Sequence, residues 1–164
     1  MDHMEEAVLS YLCGRPERFV NPQFTIPYAD LKGGSCPDFV VLDFVDTTVY
    51  VAEVTIASES KGVMRRVAER ATRWFEPLRS HFGKLNPIFE NWDYHVTLFV
   101  RGEEVEKARA AAAAFPDVSI ISLDDIVFSW RWKWQVDGVP DNPLRDPTKG
   151  ARVHAAQQAA GADR

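Results

Sequence analysis

Residues 37–56 read Pro-Asp-Phe-Val-Val-Leu-Asp-Phe-Val-Asp-Thr-Thr-Val-Tyr-Val-Ala-Glu-Val-Thr-Ile, and this stretch decides the fold. Two runs rich in β-branched and aromatic residues, 38–44 and 48–56, flank Val45-Asp46-Thr47, which reads as a tight turn. Apolar side chains occupy both alternating faces of both runs. Strands of that kind belong in the middle of a sheet that helices cover on each side.

Upstream, residues 2–13 read as a short helix. Met4, Val8, Tyr11 and Leu12 recur at helical spacing, and Gly14 with Pro16 ends the pattern. Residues 14–36 are loop-rich, with a short strand at 24–28. Downstream, a helix is predicted over 60–76. Its Val63, Met64, Val67, Ala71, Trp74 and Phe75 share one arc, Arg66, Arg70 and Arg73 form a stripe beside it, and Pro77 breaks or kinks it. A strand at 94–100, an alanine-rich helix at 103–115 and a strand at 118–122 follow. A capping box beginning at Ser122 starts a last helix near 123–134. The fold class is α/β, with a mixed central sheet flanked by helices.

The chain of 164 residues, 46% hydrophobic and 26% charged, suits one domain with its own core. That domain is placed at 1–136. Residues 137–164 are rich in Pro, Gly, Asp and Ala and read as a disordered tail. A net charge of −5 excludes a generally basic coat, yet residues 61–84 carry a local excess of basic residues. Cys13 and Cys36 make neither a disulfide framework nor a zinc knuckle, and they suit a reducing compartment. No stretch approaches the ~18 consecutive apolar residues of a transmembrane helix. Met1 to Glu6 lacks the basic start and apolar core of a signal peptide, so a cytoplasmic protein with no membrane association is expected.

The chemistry-bearing residues lie in the same stretch. A two-residue turn at Asp46-Thr47 would pair Val40 with Glu53 and Asp38 with Thr55. Asp38, Glu53 and Thr55 would then project from one face, at the end away from the turn. Two carboxylates on a mostly buried face repel each other and resist ionisation unless something compensates. A divalent cation does so, and hard carboxylate oxygens suit Mg²⁺. Glu5, inside the arc of Met4, Val8, Leu9 and Leu12, is a candidate third acid.

A proline-aspartate pair opening one strand, an acid near the end of the next, and flanking helices resemble the PD-(D/E)xK nuclease superfamily. That superfamily includes restriction endonucleases, Holliday-junction resolvases and defence nucleases. The resemblance covers roughly residues 2–100, with an extension to 130. It implies a restriction-endonuclease-like αβββαβ core and Mg²⁺ or Mn²⁺ held by Asp38 and Glu53, to which Glu5, read from the helical arc, would add a third metal-binding acid. It also implies a water nucleophile positioned by a lysine. The lysine position holds Thr55, which can hydrogen-bond a metal-bound water, and Lys61 is the substitute at the start of the basic helix. Arg66, Arg70 and Arg73 would contact backbone phosphates, of DNA before RNA. A homodimer and a bacterial defence or mobile-element setting would suit such a relative.

Two other readings stay open. One is a catalytically inactive version of the fold that binds nucleic acid or a protein. The other is an unrelated α/β domain, in which Asp38 caps a turn and Glu53 pairs with an arginine of the next helix. Trp130, Trp132 and Trp134, interleaved with Arg131 and Lys133, suit core packing, a dimer or partner interface, or stacking on bases. His95 reads as structural and Cys36 as a small buried residue. Ser58 and Ser60 lack a nucleophile elbow, and Gly33-Gly34-Ser35 is not a phosphate loop.

Overall fold

A mixed five-stranded sheet runs through the computed structural model, which describes residues 1–28, 33–56, 61–128 and Leu144, with the side chain of Lys61 excepted. Its strands lie side by side in chain order: β1 (Arg18–Pro22), β2 (Phe39–Asp43), β3 (Thr48–Thr55), β4 (Asp93–Val100) and β5 (Val118–Ser122). The first three are antiparallel neighbours, and β4 and β5 continue parallel to β3. The helices are α1 (His3–Leu12), α2 (Lys61–Ala68), α3 (Glu76–Leu85), α4 (Val105–Ala111) and the single turn α5 (Leu123–Ile126). This is the mixed sheet flanked by helices that the sequence predicts.

Strand alternation divides the core into two halves. Val40, Val51, Val96 and Leu98 face Val63, Val67, Trp74 and Leu78 of the α2–α3 side. Phe39, Val41, Tyr50, Ala52 and Phe99 face Val8, Tyr11 and Leu12 of α1, together with Leu123 and Ile126. β3 is buried from Thr48 to Glu53, as a central strand must be. Leu144 joins the α1 half fully buried, and its carbonyl accepts a 2.8 Å hydrogen bond from the Thr97 hydroxyl. The segment read from sequence as a tail therefore gives a side chain to the core.

The β2–β3 hairpin departs from the two-residue turn. Asp43 pairs with Thr48, so four residues, Phe44 to Thr47, make the connection. Asp43 Oδ1 accepts from the backbone N–H groups of Val45 and Asp46 at 3.1 Å each, and Thr47 adopts a φ of 49°. The aspartate side chain thus organises a longer loop than the turn residues alone suggest. Val40 faces Val51, not Glu53, and the register has slid by two residues. A slide of two keeps every side chain on its predicted face.

Three further elements differ from expectation. The strand before β2 is β1, while Ile26–Pro27 pairs only with Gly34–Ser35 in a separate two-residue ladder. β1 is an edge strand that tolerates Pro22 and exposes Phe19. Its buried anchor is charged: Arg18 Nε donates to Asp43 Oδ2 at 2.8 Å. Pro77 does not break the helical run. A π-helical turn, Ala71–Phe75, precedes it, Glu76 N–H donates to the Ala71 carbonyl, and Pro77 sits in the first turn of α3, where no N–H is needed. The alanine-rich helix is shorter than 103–115: a 3-10 turn, Gly102–Glu104, precedes it, and it ends at Ala111. Of the last helix, the described part is α5.

Candidate functional site

The β2–β3 ladder positions the two carboxylates. Phe39 faces Ala52, and one further step along the ladder brings Asp38 level with Glu53. By alternation with Val40 and Val51, both belong to the α2 side of the sheet, as does Thr55. The sequence placed these three on one face, and the longer loop makes Asp38 and Glu53 direct cross-strand neighbours.

Asp38 is half-buried and Glu53 is 5% exposed. Asp38 Oδ2 accepts a 2.6 Å hydrogen bond from Val54 N–H, and Glu53 Oε2 accepts from Arg66 Nη2 at 2.7 Å. The second oxygen of each carboxylate has no hydrogen bond among the described residues. Burial pushes the Glu53 carboxyl up to about 7; the Arg66 guanidinium pulls against this, and the Asp38 charge adds to it. Burial also raises Asp38, against the Val54 N–H bond and with help from Glu5. Two carboxyls that resist ionisation, each with a spare oxygen, are a donor pair suited to a hard cation that keeps most of its waters.

The charge of Glu5 is felt at the site, where it helps to raise Asp38. Its side chain closes a capping box: Asp2 accepts from Met4 and Glu5 N–H, while Glu5 Oε2 accepts from Asp2 N–H at 3.1 Å. The N-terminal ammonium stands 3.7 Å from the same oxygen. Among the described residues, no group of three His, Cys, Asp or Glu side chains is arranged to hold a metal ion. Thr55 is half-buried two residues beyond Glu53. Lys61 opens α2, and its side chain is outside the described residues.

The arginine stripe is partnered inside the protein. Arg66 holds Glu53, and its buried Nε has no hydrogen bond among the described residues. Arg70 grips both oxygens of Asp117 at 2.6 Å and stacks 4.4 Å over the Phe115 ring, tying the helical run to the start of β5. Arg73 Nη1 lies 3.6 Å from Glu69 Oε2, and its Nε too is buried without a hydrogen bond among the described residues. The reading in which Glu53 pairs with an arginine of the next helix describes this contact, and Arg66 is that arginine. The signal was available: Arg66 adjoins Val67, which packs onto the strand that carries Glu53.

His95 is a packing residue, as its mid-strand position predicts. Its Nε2 lies 2.8 Å from Ser119 Oγ, and its ring meets Tyr50 edge-on. Cys36 is exposed, contrary to expectation. The neighbouring Ser35 is the buried one and accepts from Trp74 Nε1 at 2.9 Å. Trp130, Trp132, Trp134, Ser58 and Ser60 lie outside the described residues. Among the described residues, no helix is long and apolar enough to cross a membrane. No protein-family model, no curated protein and no solved structure matches this chain.

Proposed function

We propose that the chain is a metal-dependent nuclease of the PD-(D/E)xK type, hydrolysing phosphodiester bonds of nucleic acid, with DNA the first substrate to test. The observation that carries this reading is that Asp38 and Glu53 stand one step beyond the last ladder pair, Phe39 and Ala52, each with an oxygen that has no hydrogen bond among the described residues. The order α1, β1, β2, β3, the α2–α3 run, β4 supports it, since with that run counted as one helix it matches the αβββαβ sequence of elements in the resembled superfamily.

Mg²⁺ or Mn²⁺ would be held by Asp38 and Glu53, and when bound it supplies an acidified water and neutralises charge on the phosphate. The Val54 N–H fixes the Asp38 carboxylate. Arg66 provides a permanent positive charge beside Glu53, where Thr55 has none to give. Lys61, at the start of α2, is a second cation of the same helix. Unpaired Cys13 and Cys36 are in keeping with a cytoplasmic location.

The test is incubation of the protein with plasmid, single-stranded DNA and RNA in Mg²⁺ or Mn²⁺, beside Asp38→Ala. Metal-dependent cleavage that disappears in the variant is expected. Absence of cleavage of every substrate by the wild type overturns the reading. One observation favours a catalytically inactive binding module instead: the Arg66–Glu53 ion pair already compensates one carboxylate without a metal. Such a module would show no thermal stabilisation by Mn²⁺.

A further inference from the structure

We infer that the groove between Tyr28 and the α2–α3 run receives unstacked bases of the strand whose phosphate lies at Asp38 and Glu53, so that single-stranded nucleic acid is the substrate class. This rests on the nuclease reading above and adds the form of the substrate to it.

The groove has a volume of about 860 Å³, within the range of ligand-sized clefts. Arg73 connects it to the carboxylates: it lines the groove and stands about 10 Å along the same helical run from Arg66, which holds Glu53. The buried Nε of Arg73 has no hydrogen bond among the described residues. Arg73 also sits in the π-helical turn, a local distortion that recurs where helices carry function.

The rest of the lining suits bases better than a continuous phosphate backbone. Tyr28 and His81 line it as half-buried aromatic residues. The His81 ring is backed by Phe24 at 5.5 Å and by Phe82 at 5.4 Å, which holds it in place as a platform. Stacking on such rings is tolerant of sequence, because every base has a π face. Lys84 and Arg73 are matched by Glu69 and Glu76, so the groove has no strong net charge with which to attract a polyanion. Carboxylates do accept hydrogen bonds from the amino groups of bases. In a duplex those faces and edges are stacked and paired, and they become available only on a single strand or a flipped nucleotide.

The experiment is fluorescence anisotropy of the full chain with a labelled single-stranded oligonucleotide and with the same sequence as a duplex, without added metal. Tighter binding of the single strand is expected. Tyr28→Ala and His81→Ala are each expected to weaken it by about 5- to 100-fold. Tyr28→Phe and His81→Phe, which keep a ring, are expected to bind like the wild type and guard against a folding artefact. Equal binding of single strand and duplex overturns the inference, as does wild-type affinity in both alanine variants. Cleavage and Mn²⁺ stabilisation are read on the same proteins. Intact cleavage with unaltered binding in the variants overturns the groove alone. Ring-dependent binding of the single strand, with no cleavage and no response to Mn²⁺, supports the groove while overturning the nuclease reading.

Discussion

Arg66 on α2 reaches down to Glu53 on β3 and donates to its Oε2 at 2.7 Å, so the most buried carboxylate of the site is held by a side chain that is itself 35% exposed. The pair is asymmetric. Removing the arginine strands a charge in the protein, whereas removing the carboxylate leaves a guanidinium with access to water.

Arg66→Met should therefore destabilise the fold at pH 8 by about 1–2 kcal/mol, a figure set below the usual range for buried pairs because Arg66 is partly solvated. At pH 5 Glu53 is protonated and the loss should shrink. Urea denaturation at the two pH values measures both. An equal loss at both would mean that Arg66 acts through packing alone.

Glu53 itself should make the protein less stable as pH rises. Its folded carboxyl titrates near 7, above the ordinary 4.5, so the folded state holds the proton more tightly than the unfolded chain does. The resulting stability is fully present below the ordinary value and is lost as pH climbs through about 7. The span is on the order of 3 kcal/mol. Asp38 shifts in the same direction. Glu53→Gln should flatten the profile of Tm against pH between 4 and 8 and raise Tm at neutral pH. A variant profile as steep as the wild type's would refute this.

Mn²⁺ must displace those protons to bind. Its stabilising effect, about 2.7 kcal/mol at a hundredfold excess over Kd, should be larger at pH 8 than at pH 6. Asp38→Asn should abolish it. Calorimetric scans with and without Mn²⁺ check the effect, and a Tm shift that persists in the variant would place the ion elsewhere.

Asp43 serves two structures at once, the ion pair with Arg18 and the N–H groups of the hairpin loop. Both side chains of the pair are at most 4% exposed. Asp43→Ala should cost about 3–5 kcal/mol, more than Asp117→Ala, whose partner Arg70 is held in a less buried pair. Chemical denaturation of the two variants compares them, and equal losses would contradict the argument.

Much of this was legible in the sequence because it rests on side-chain periodicity. α1, the central strands and the shared face of Asp38 and Glu53 all follow from spacing. The face survives the wrong turn length because the true loop adds residues in an even number. What escaped has a physical reason in each case. β1 is an edge strand anchored by an arginine, so it carries no hydrophobic alternation. The π-helical turn absorbs Pro77 by a local change of hydrogen bonding that no residue pattern announces. That Glu53 meets an arginine of the next helix was legible as one reading, and only the packing of α2 over β3 shows which arginine of the stripe it is. Leu144 stands alone in polar sequence, where a single apolar residue carries no period.

Leu144 also sets an order of events. Its backbone carbonyl receives the hydroxyl of Thr97, a residue 47 positions earlier and fully buried. During synthesis on a ribosome, every strand of the sheet has been made before residue 144 appears. Until it does, the α1 half of the core lacks one of its apolar side chains, and a buried hydroxyl lacks its acceptor. The nascent chain can pair its strands early, but it cannot finish burying them until translation has gone well past the last one.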